Sequence, residues 1–381
     1  MLTALVTVII FLVMISLHEF GHFIVAKLCS ITVLEYAIGM GPAIFKKEKG
    51  GTLYSVRILP IGGYCKMEGE DTESDDAGAF CNQKLWKRFL VVVAGAVLNV
   101  VLGFVIFIVI ALNNAPFGTN RIASLDERSQ MYISGVMPGD EIVKINGRSI
   151  GFYRDILLYK DEIGTDTDVK MTVKRDGKRY EFDFALSYMT GERVYQKDGY
   201  TDTTTMNGIT EVTEGKYAEG FVLPEELIGT KEKLDSYMLG FSPEIEEISA
   251  KGVIREAFYS TRYVIRVVYK GLWDMISGSA GLDQVSGPVG IVSAVNTAVK
   301  SSESLMSVLS LATLLTINLG IFNLLPIPAL DGGRIFFMLV ELIRRKPVPA
   351  EKEGLVHAIG LMLLLGFALV VSAKDILMLF K

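Results

Sequence analysis

The residues best equipped for chemistry stand together near the amino terminus. His18-Glu19-Phe20-Gly21-His22 sets two imidazoles four residues apart, and on a helix residues so spaced share a face. Two such histidines can grip one Zn²⁺, and the glutamate between them is placed to act as general base on a water that the metal polarises. The motif uses two of the chain's three histidines and lies inside an apolar run from Leu2 to Ile31. Hydrolytic chemistry is therefore expected inside a membrane-spanning helix. The plain alternative is a pair of polar residues closing the cytoplasmic end of a helix, but an ionisable triplet at that depth is costly without a metal or a partner.

A second segment supplies a partner. Asn323-Leu324-Leu325-Pro326-Ile327-Pro328-Ala329-Leu330-Asp331-Gly332-Gly333 follows another apolar run. Pro326 and Pro328 remove backbone donors and push their neighbours toward extended geometry, so regular helix is excluded there. The paired glycines are expected to permit a tight turn after Asp331. Irregular backbone at membrane depth is tolerated where protein buries it or where it lines a wet cavity. An aspartate in such a place needs a counter-charge, and a zinc ion on His18 and His22 would provide one. Two histidines and one carboxylate leave the fourth tetrahedral position open for water. The alternative is a solvated aspartate in a helix-ending loop.

These residues must be positioned by a mixed architecture. Half of the 381 residues are hydrophobic, too many for an ordinary soluble enzyme and too few for a chain that is all membrane. Four segments can span a bilayer core: Leu2 to Leu28, Phe89 to Leu112, Leu305 to Leu325 and Leu355 to Phe380. The first lacks the basic start and cleavage site of a signal peptide and is read as retained. Basic residues gather in the first connection (Lys46, Lys47, Lys49, Lys66, Lys84, Lys87, Arg88) and in the third (Arg344, Arg345, Lys346, Lys352). Such connections are cytoplasmic, which puts the long polar stretch from Asn113 to Ser304 outside. The net charge of −5 comes mostly from that stretch, and nothing in it invites nucleic acid. Cys29, Cys65 and Cys81 all fall on the cytoplasmic side or at its membrane edge, where thiols stay reduced.

On these motifs the chain resembles the site-2 proteases, the intramembrane zinc metalloproteases, in the bacterial PDZ-bearing form of the regulator of sigma-E protease type. The family's HExxH matches His18 through His22, and its NxxPxPxLDG matches Asn323 through Gly332. Gly39-Met40-Gly41-Pro42, Pro60-Ile61-Gly62-Gly63-Tyr64 and Ser286-Gly287-Pro288-Val289-Gly290-Ile291 resemble shorter family elements in the same order. The resemblance implies that His18, His22 and Asp331 bind zinc and that Glu19 is the catalytic base. It implies that Asn323 holds substrate or polarises the scissile carbonyl, with Pro326, Pro328, Gly62 and Gly63 also on the substrate path. It also implies a membrane-associated hairpin and a place for Asn99 near the catalytic centre, although a lone amide in a span serves equally as helix-packing glue.

The remaining expectations concern organisation. Residues 1–112 hold the first two spans and a hairpin whose strands, Thr52 to Leu59 and Gly63 to Glu68, flank a Pro-Ile-Gly-Gly turn. An unpaired edge of that hairpin would hold a substrate extended. Residues 113–250 form one extracytoplasmic α+β PDZ-like domain, marked by Ile133 through Gly147 and by a hairpin from Val169 to Phe184 broken at Asp176-Gly177. Ser149 to Ile163 reads as a short helix, Tyr188 to Ser236 as an insertion or a flexible loop and Tyr237 to Phe241 as a closing strand, with no clear carboxylate-binding glycine loop. Residues 251–304 carry an amphipathic helix, Glu256 to Met275, suited to the membrane surface. Residues 305–381 hold the last two spans, with His357 an interfacial residue.

The fold expected is thus a polytopic α-helical membrane protein with four transmembrane helices, a membrane-associated β-hairpin and one outer PDZ-like domain. Its expected activity is zinc-dependent hydrolysis of peptide bonds within or near the spans of single-pass membrane proteins in a bacterial cytoplasmic membrane. The resemblance implies anti-sigma factors or signal-peptide remnants as substrates, and an upstream protease that cuts first. The competing class is a non-proteolytic PDZ scaffold. A substitution at His18, Glu19, His22 or Asp331 would have favoured it, and all four are intact. A transporter is disfavoured because no inverted repeat is visible.

Overall fold

The computed structural model describes residues 2–70, 72–113, 117–160, 168–217, 223–279, 281, 286–301 and 304–379. It divides into two compact units, one of residues Met1–Asn114 with Val253–Lys381 and one of Ala115–Gly252.

In the first unit the apolar runs become helices, α1 over Leu2–Leu28 and α2 over Leu85–Asn113. Helix satisfies every backbone polar group internally, as hydrocarbon surroundings demand. Between them lie two long strands, β1 (Val33–Lys49) and β2 (Thr52–Met67). They are joined at Gly50-Gly51, whose positive φ angles of 60° and 72° suit glycine. The Pro60 to Gly63 segment lies within β2 where that strand folds back, as expected, but the two segments it joins do not pair with each other as a hairpin. Phe45 to Lys49 pairs with Thr52 to Val56, and Glu35 to Ile38 pairs both with Leu53 to Val56 and with Gly63 to Lys66. Both strands fold back, so four segments lie side by side. Thr52 to Val56 is interior, and Gly63 to Met67 forms an edge. Local composition marks where the strand folds back, whereas pairing is decided by distant residues. Asp71, first of the acidic run to Asp76, lies outside the described residues.

The second unit contains two sheets. In the first, β3 (Phe117–Leu125), β4 (Glu141–Ile145), β6 (Asp168–Arg175) and β7 (Lys178–Ala185) run in the order β13-β3-β4-β6-β7, with β5 (Arg148–Ser149) on β4 and β13 covering Phe241–Glu246. Helices α3 (Gln130–Ile133) and α4 (Tyr153–Lys160) accompany it, and residues 161–163 of the longer helix expected lie outside the described residues. Alternation buries Ile142, Ile145, Val169, Met171 and Val173 with Ile122, Met131 and Ile156. The β6–β7 hairpin turns at Asp176-Gly177 as expected. Arg175 clasps the fully buried Asp140 through two hydrogen bonds of 2.6 and 2.7 Å. The second sheet rules out the flexible-loop alternative for Tyr188 to Ser236. β8 (Ser187–Gln196), β9 (Gly199–Met206) and β10 (Ile209–Lys216) form a meander, with β11 (Lys231–Lys233) and β12 (Ser236–Met238) both on β8. Residues 218–222 of it lie outside the described residues. The single closing strand expected at Tyr237 to Phe241 is also corrected: the chain breaks at Gly240, φ +81°, so that β12 serves one sheet and β13 the other.

Helix α5 (Ala250–Ser277) carries the amphipathic pattern expected; one side of it packs within the first unit, while Ile254, Phe258, Tyr269, Trp273 and Ile276 stay exposed. Ala257, Val264 and Val268 pack with Phe107 and Ile110 of α2 and with Ile317 and Ile321. Four further helices complete the chain: α6 (Pro288–Lys300), α7 (Ser304–Asn323), α8 (Asp331–Arg344) and α9 (Ala350–Leu379). Among the described residues, four helices are long and apolar enough to cross a membrane, Leu2–Leu28, Leu85–Asn113, Ser304–Asn323 and Glu351–Met378. They match the four runs read from the sequence. Small residues let these helices approach: a Cβ on Gly21 would stand 2.5 Å from the Ala94 carbonyl oxygen, and one on Gly320 would stand 2.8 Å from that of Ala96. Asp375 of α9 caps α6, accepting the Gly287 and Gly290 N–H groups at 2.8 and 2.9 Å. A Cβ on either glycine would come within 3.0 Å of that carboxylate, which gives Ser286 through Ile291 its physical reason.

Candidate active site

The i, i+4 spacing on α1 brings His18 and His22 to one side, both buried, with their Nε2 atoms 3.2 Å apart. Asp331 opens α8 and aims Oδ2 at both, 3.2 Å from His18 Nε2 and 3.5 Å from His22 Nε2. Its position depends on the interruption after α7. The chain leaves helix at Asn323, passes Pro326 and Pro328, and reaches Ala329 with a strained φ of +75°. His357 of α9 holds that turn, its Nδ1 accepting the Ala329 N–H at 2.8 Å. It is thus a support beside the site, in addition to the interfacial place expected for it. Gly332 and Gly333 do not form a turn either. They lie in the first turn of α8, where a Cβ would press on the Leu324 carbonyl group or approach the Ile327 carbonyl oxygen to 2.7 Å. Close approach of backbone is their reason.

Ligand atoms of His18, His22 and Asp331 all lie within 4.8 Å of one another, the one such group among the described residues. His22 Nδ1 donates to the Val91 carbonyl oxygen at 2.8 Å. A neutral imidazole protonated there presents a lone pair at Nε2. That lone pair faces a second imidazole nitrogen and a buried carboxylate oxygen, Asp331 Oδ2, that has no hydrogen-bond donor. Three converging acceptors repel one another unless a cation lies among them, so the donor set fits a metal ion. Two nitrogens and one oxygen are the ligands of a hydrolytic zinc site with an open position.

Glu19 points to the other side of the same cavity, where its Oε2 accepts the Cys65 N–H at 3.1 Å. Gly63 lies beside it, as a Cβ there would stand 3.5 Å from Glu19 Cγ. Burial and then the Glu19 carboxylate push the Cys65 thiol well above its ordinary pKa, so it stays protonated. The same two causes push the Tyr36 hydroxyl, which donates to the Ser16 carbonyl oxygen at 3.0 Å, up to about 12. Asn323 is also brought in, its amide 3.1 Å from His18 Nε2. The cavity, of about 680 Å³, is lined by His18, Glu19, His22, Asp331 and the edge Tyr64 to Met67, with His357 at its α9 wall. Pro326, Pro328 and Gly62 are not among its lining residues. Pro328 packs on Gly360, Pro326 is exposed, and Gly62 packs on Met40.

Sequence reading missed Gly95 of α2. A Cβ there would stand 2.7 Å from His22 Cε1 and 2.8 Å from His18 Cε1. Gly95 and Asn99, four apart, share the α2 face that meets the histidines, and that spacing was the available signal. Asn99 is fully buried 3.3 Å from His18 Nδ1.

Known proteins resemble this chain over nearly its whole length. The model of peptidase family M50 matches residues 6–367. A Clostridium acetobutylicum protein whose name proposes a zinc metalloprotease is 33% identical over 374 residues, 97% of this chain and 96% of its own. A Clostridium perfringens protein named in the same way is 35% identical over 368 residues, 96% of each. The zinc metalloprotease RasP of Geobacillus kaustophilus is 28% identical, over 97% of this chain and 96% of its own. With its apolar helices, the chain is a membrane protein and a zinc metalloendopeptidase, and it belongs to peptidase family M50, the site-2 proteases.

Proposed function

We propose that this protein is an intramembrane endopeptidase that hydrolyses peptide bonds within or near the transmembrane segments of single-pass membrane proteins. One observation carries the reading: His18, His22 and Asp331 converge between apolar helices, with Glu19 placed between them and an open strand edge. His18, His22 and Asp331 would hold Zn²⁺, which when bound supplies Lewis acidity for activating water and polarising a carbonyl. Glu19 takes the proton of the attacking water and delivers it to the leaving amine. Asn323, a neutral amide donor beside His18, stabilises the negative charge that develops on the scissile carbonyl.

A helical substrate hides its scissile carbonyl in its own hydrogen bonds. Gly63 to Met67 supports an answer, since an extended segment laid along that edge gains backbone partners. The edge amide of Cys65 is held by Glu19 in this state. A substrate strand would take over that amide and free the carboxylate for catalysis. Pairing thus couples substrate arrival to release of the base.

The basic residues between α1 and α2 favour a cytoplasmic side for that connection, and so an extracytoplasmic, PDZ-like role for Ala115–Gly252 in a bacterial cytoplasmic membrane. Tyr153, Ile156 and Met238 to Ser242 line a groove of about 300 Å³ there. It adjoins β13, which ends its sheet, and favours a site for an extended segment. Anti-sigma factors or signal-peptide remnants, trimmed first by another protease, fit the reading as substrates.

The test pairs zinc content with cleavage of a helix-destabilised single-span substrate, comparing wild type with Glu19→Gln. About one zinc per chain in both, with cleavage only by wild type, is expected. Well-folded wild type that binds zinc but cuts no such substrate, while holding peptides through Ala115–Gly252, would favour a non-proteolytic scaffold.

A further inference from the structure

Both ring nitrogens of His18 face an amide. Asn323 stands 3.1 Å from Nε2 and Asn99 stands 3.3 Å from Nδ1. With each amide turned to present its NH₂ group, both nitrogens would have to accept. A neutral imidazole has one acceptor nitrogen and one N–H, so one of the two amides must present its oxygen. Two observations decide which. Nε2 is the nitrogen that converges with His22 and Asp331, so the lone pair belongs there and the proton on Nδ1. Asn99 is fully buried, and with its NH₂ toward His18 its Oδ1 is left in the interior with no hydrogen-bond partner. The two ends of a side-chain amide are alike in shape, and hydrogen-bond satisfaction chooses between them. Turning Asn99 gives its Oδ1 the Nδ1–H to accept, and its NH₂ then takes the place of the orphaned Oδ1.

We propose that Asn99 is a positioning residue that fixes His18 in its Nδ1–H tautomer, accepting that proton through Oδ1 so that the Nε2 lone pair is directed to the metal. It does for His18 what the Val91 carbonyl oxygen does for His22. Outer partners of this kind orient a ligand and raise its basicity, and their loss weakens metal binding about 10- to 100-fold. The inference rests on the reading of His18, His22 and Asp331 as ligands. Asn99 touches neither substrate nor reacting atoms.

The test uses the full-length protein in detergent, with zinc affinity measured by chelator competition for wild type, Asn99→Leu and Asn99→Asp. Leucine keeps the volume but accepts nothing, whereas aspartate keeps the acceptor. Expected is a loss of about 10- to 100-fold in Asn99→Leu and recovery to within a few-fold of wild type in Asn99→Asp. A ¹⁵N spectrum of the metal-free protein, labelled at its three histidines, reads the tautomer independently of packing. His18 should be protonated at Nδ1 in wild type and lose that preference in Asn99→Leu. Equal affinity in all three proteins, equal loss in both variants, or an Nε2-protonated His18 in wild type would each overturn the role. Wild type that binds no zinc would instead overturn the ligand assignment, and the tautomer spectrum would still judge Asn99 separately.

Discussion

Gly95 lies against His22: a Cβ on this α2 residue would stand 2.7 Å from the imidazole Cε1. The two apolar helices can approach closely enough to share the site only because one of them carries no side chain at the point of contact. Gly95→Ala should therefore push the histidines off their common point and weaken zinc binding at least about tenfold, the scale on which outer supports act. Gly354→Ala, in open space on α9, is the control and should bind as wild type does. Zinc titration of the two decides; equal affinity would show that the imidazoles can move without cost.

The strand edge makes a second prediction. Cys65 directs its N–H away from β1 toward Glu19, so Cys65→Pro removes an outward donor while leaving the ladder to Glu35–Ile38 intact. Cleavage should fall about tenfold, the worth of one hydrogen bond, with zinc content unchanged. Prolines within Thr52 to Val56 should lose both, because that segment is paired on each side. If Cys65→Pro also lost its zinc, the sheet itself would have failed and not the edge.

Asp375 ties α9 to the first turn of α6. Asp375→Ala leaves two helix N–H groups without their acceptor, and should lower stability by about 2 kcal/mol, as loss of a strong cap does. Zinc affinity should be untouched, since the ligands lie on α1 and α8. A thermal melt and a zinc titration on the same sample check both halves.

For Ala115–Gly252 two roles make opposite forecasts. As a size filter, its removal by deletion of Arg121 to Phe241 should extend cleavage to substrates that still carry their outer domains. As a binding module, the same deletion should lower cleavage of every substrate. Matched assays on full-length and trimmed versions of one substrate separate the outcomes.

Much of the site and of the span layout is legible in the amino-acid sequence, for identifiable reasons. The histidine pair needs only helical periodicity, and long apolar runs have few alternatives to helix. Asp331 stands out because prolines and glycines around a charge make no sense in an uninterrupted span. What stays hidden depends on partners far away in the chain. Nothing near Pro60 says that Glu35 will pair on both sides, and Gly95 carries no signal beyond its spacing from Asn99. The Thr- and Gly-rich stretch from Tyr188 to Ser236 has the composition of a loop, yet registers such as Thr190 with Thr205 and Thr205 with Thr210 turn it into sheet.

The two imidazoles of the site are steered from unlike sources, one by the main-chain carbonyl of Val91 and the other by a side chain. A peptide carbonyl survives every amino-acid replacement, so the aim of His22 is beyond the reach of point mutation at its acceptor. The aim of His18 is not. Whatever tuning of metal preference or exchange rate this site has undergone, or could be given by design, a single codon on α2 is the dial that reaches it without altering a ligand.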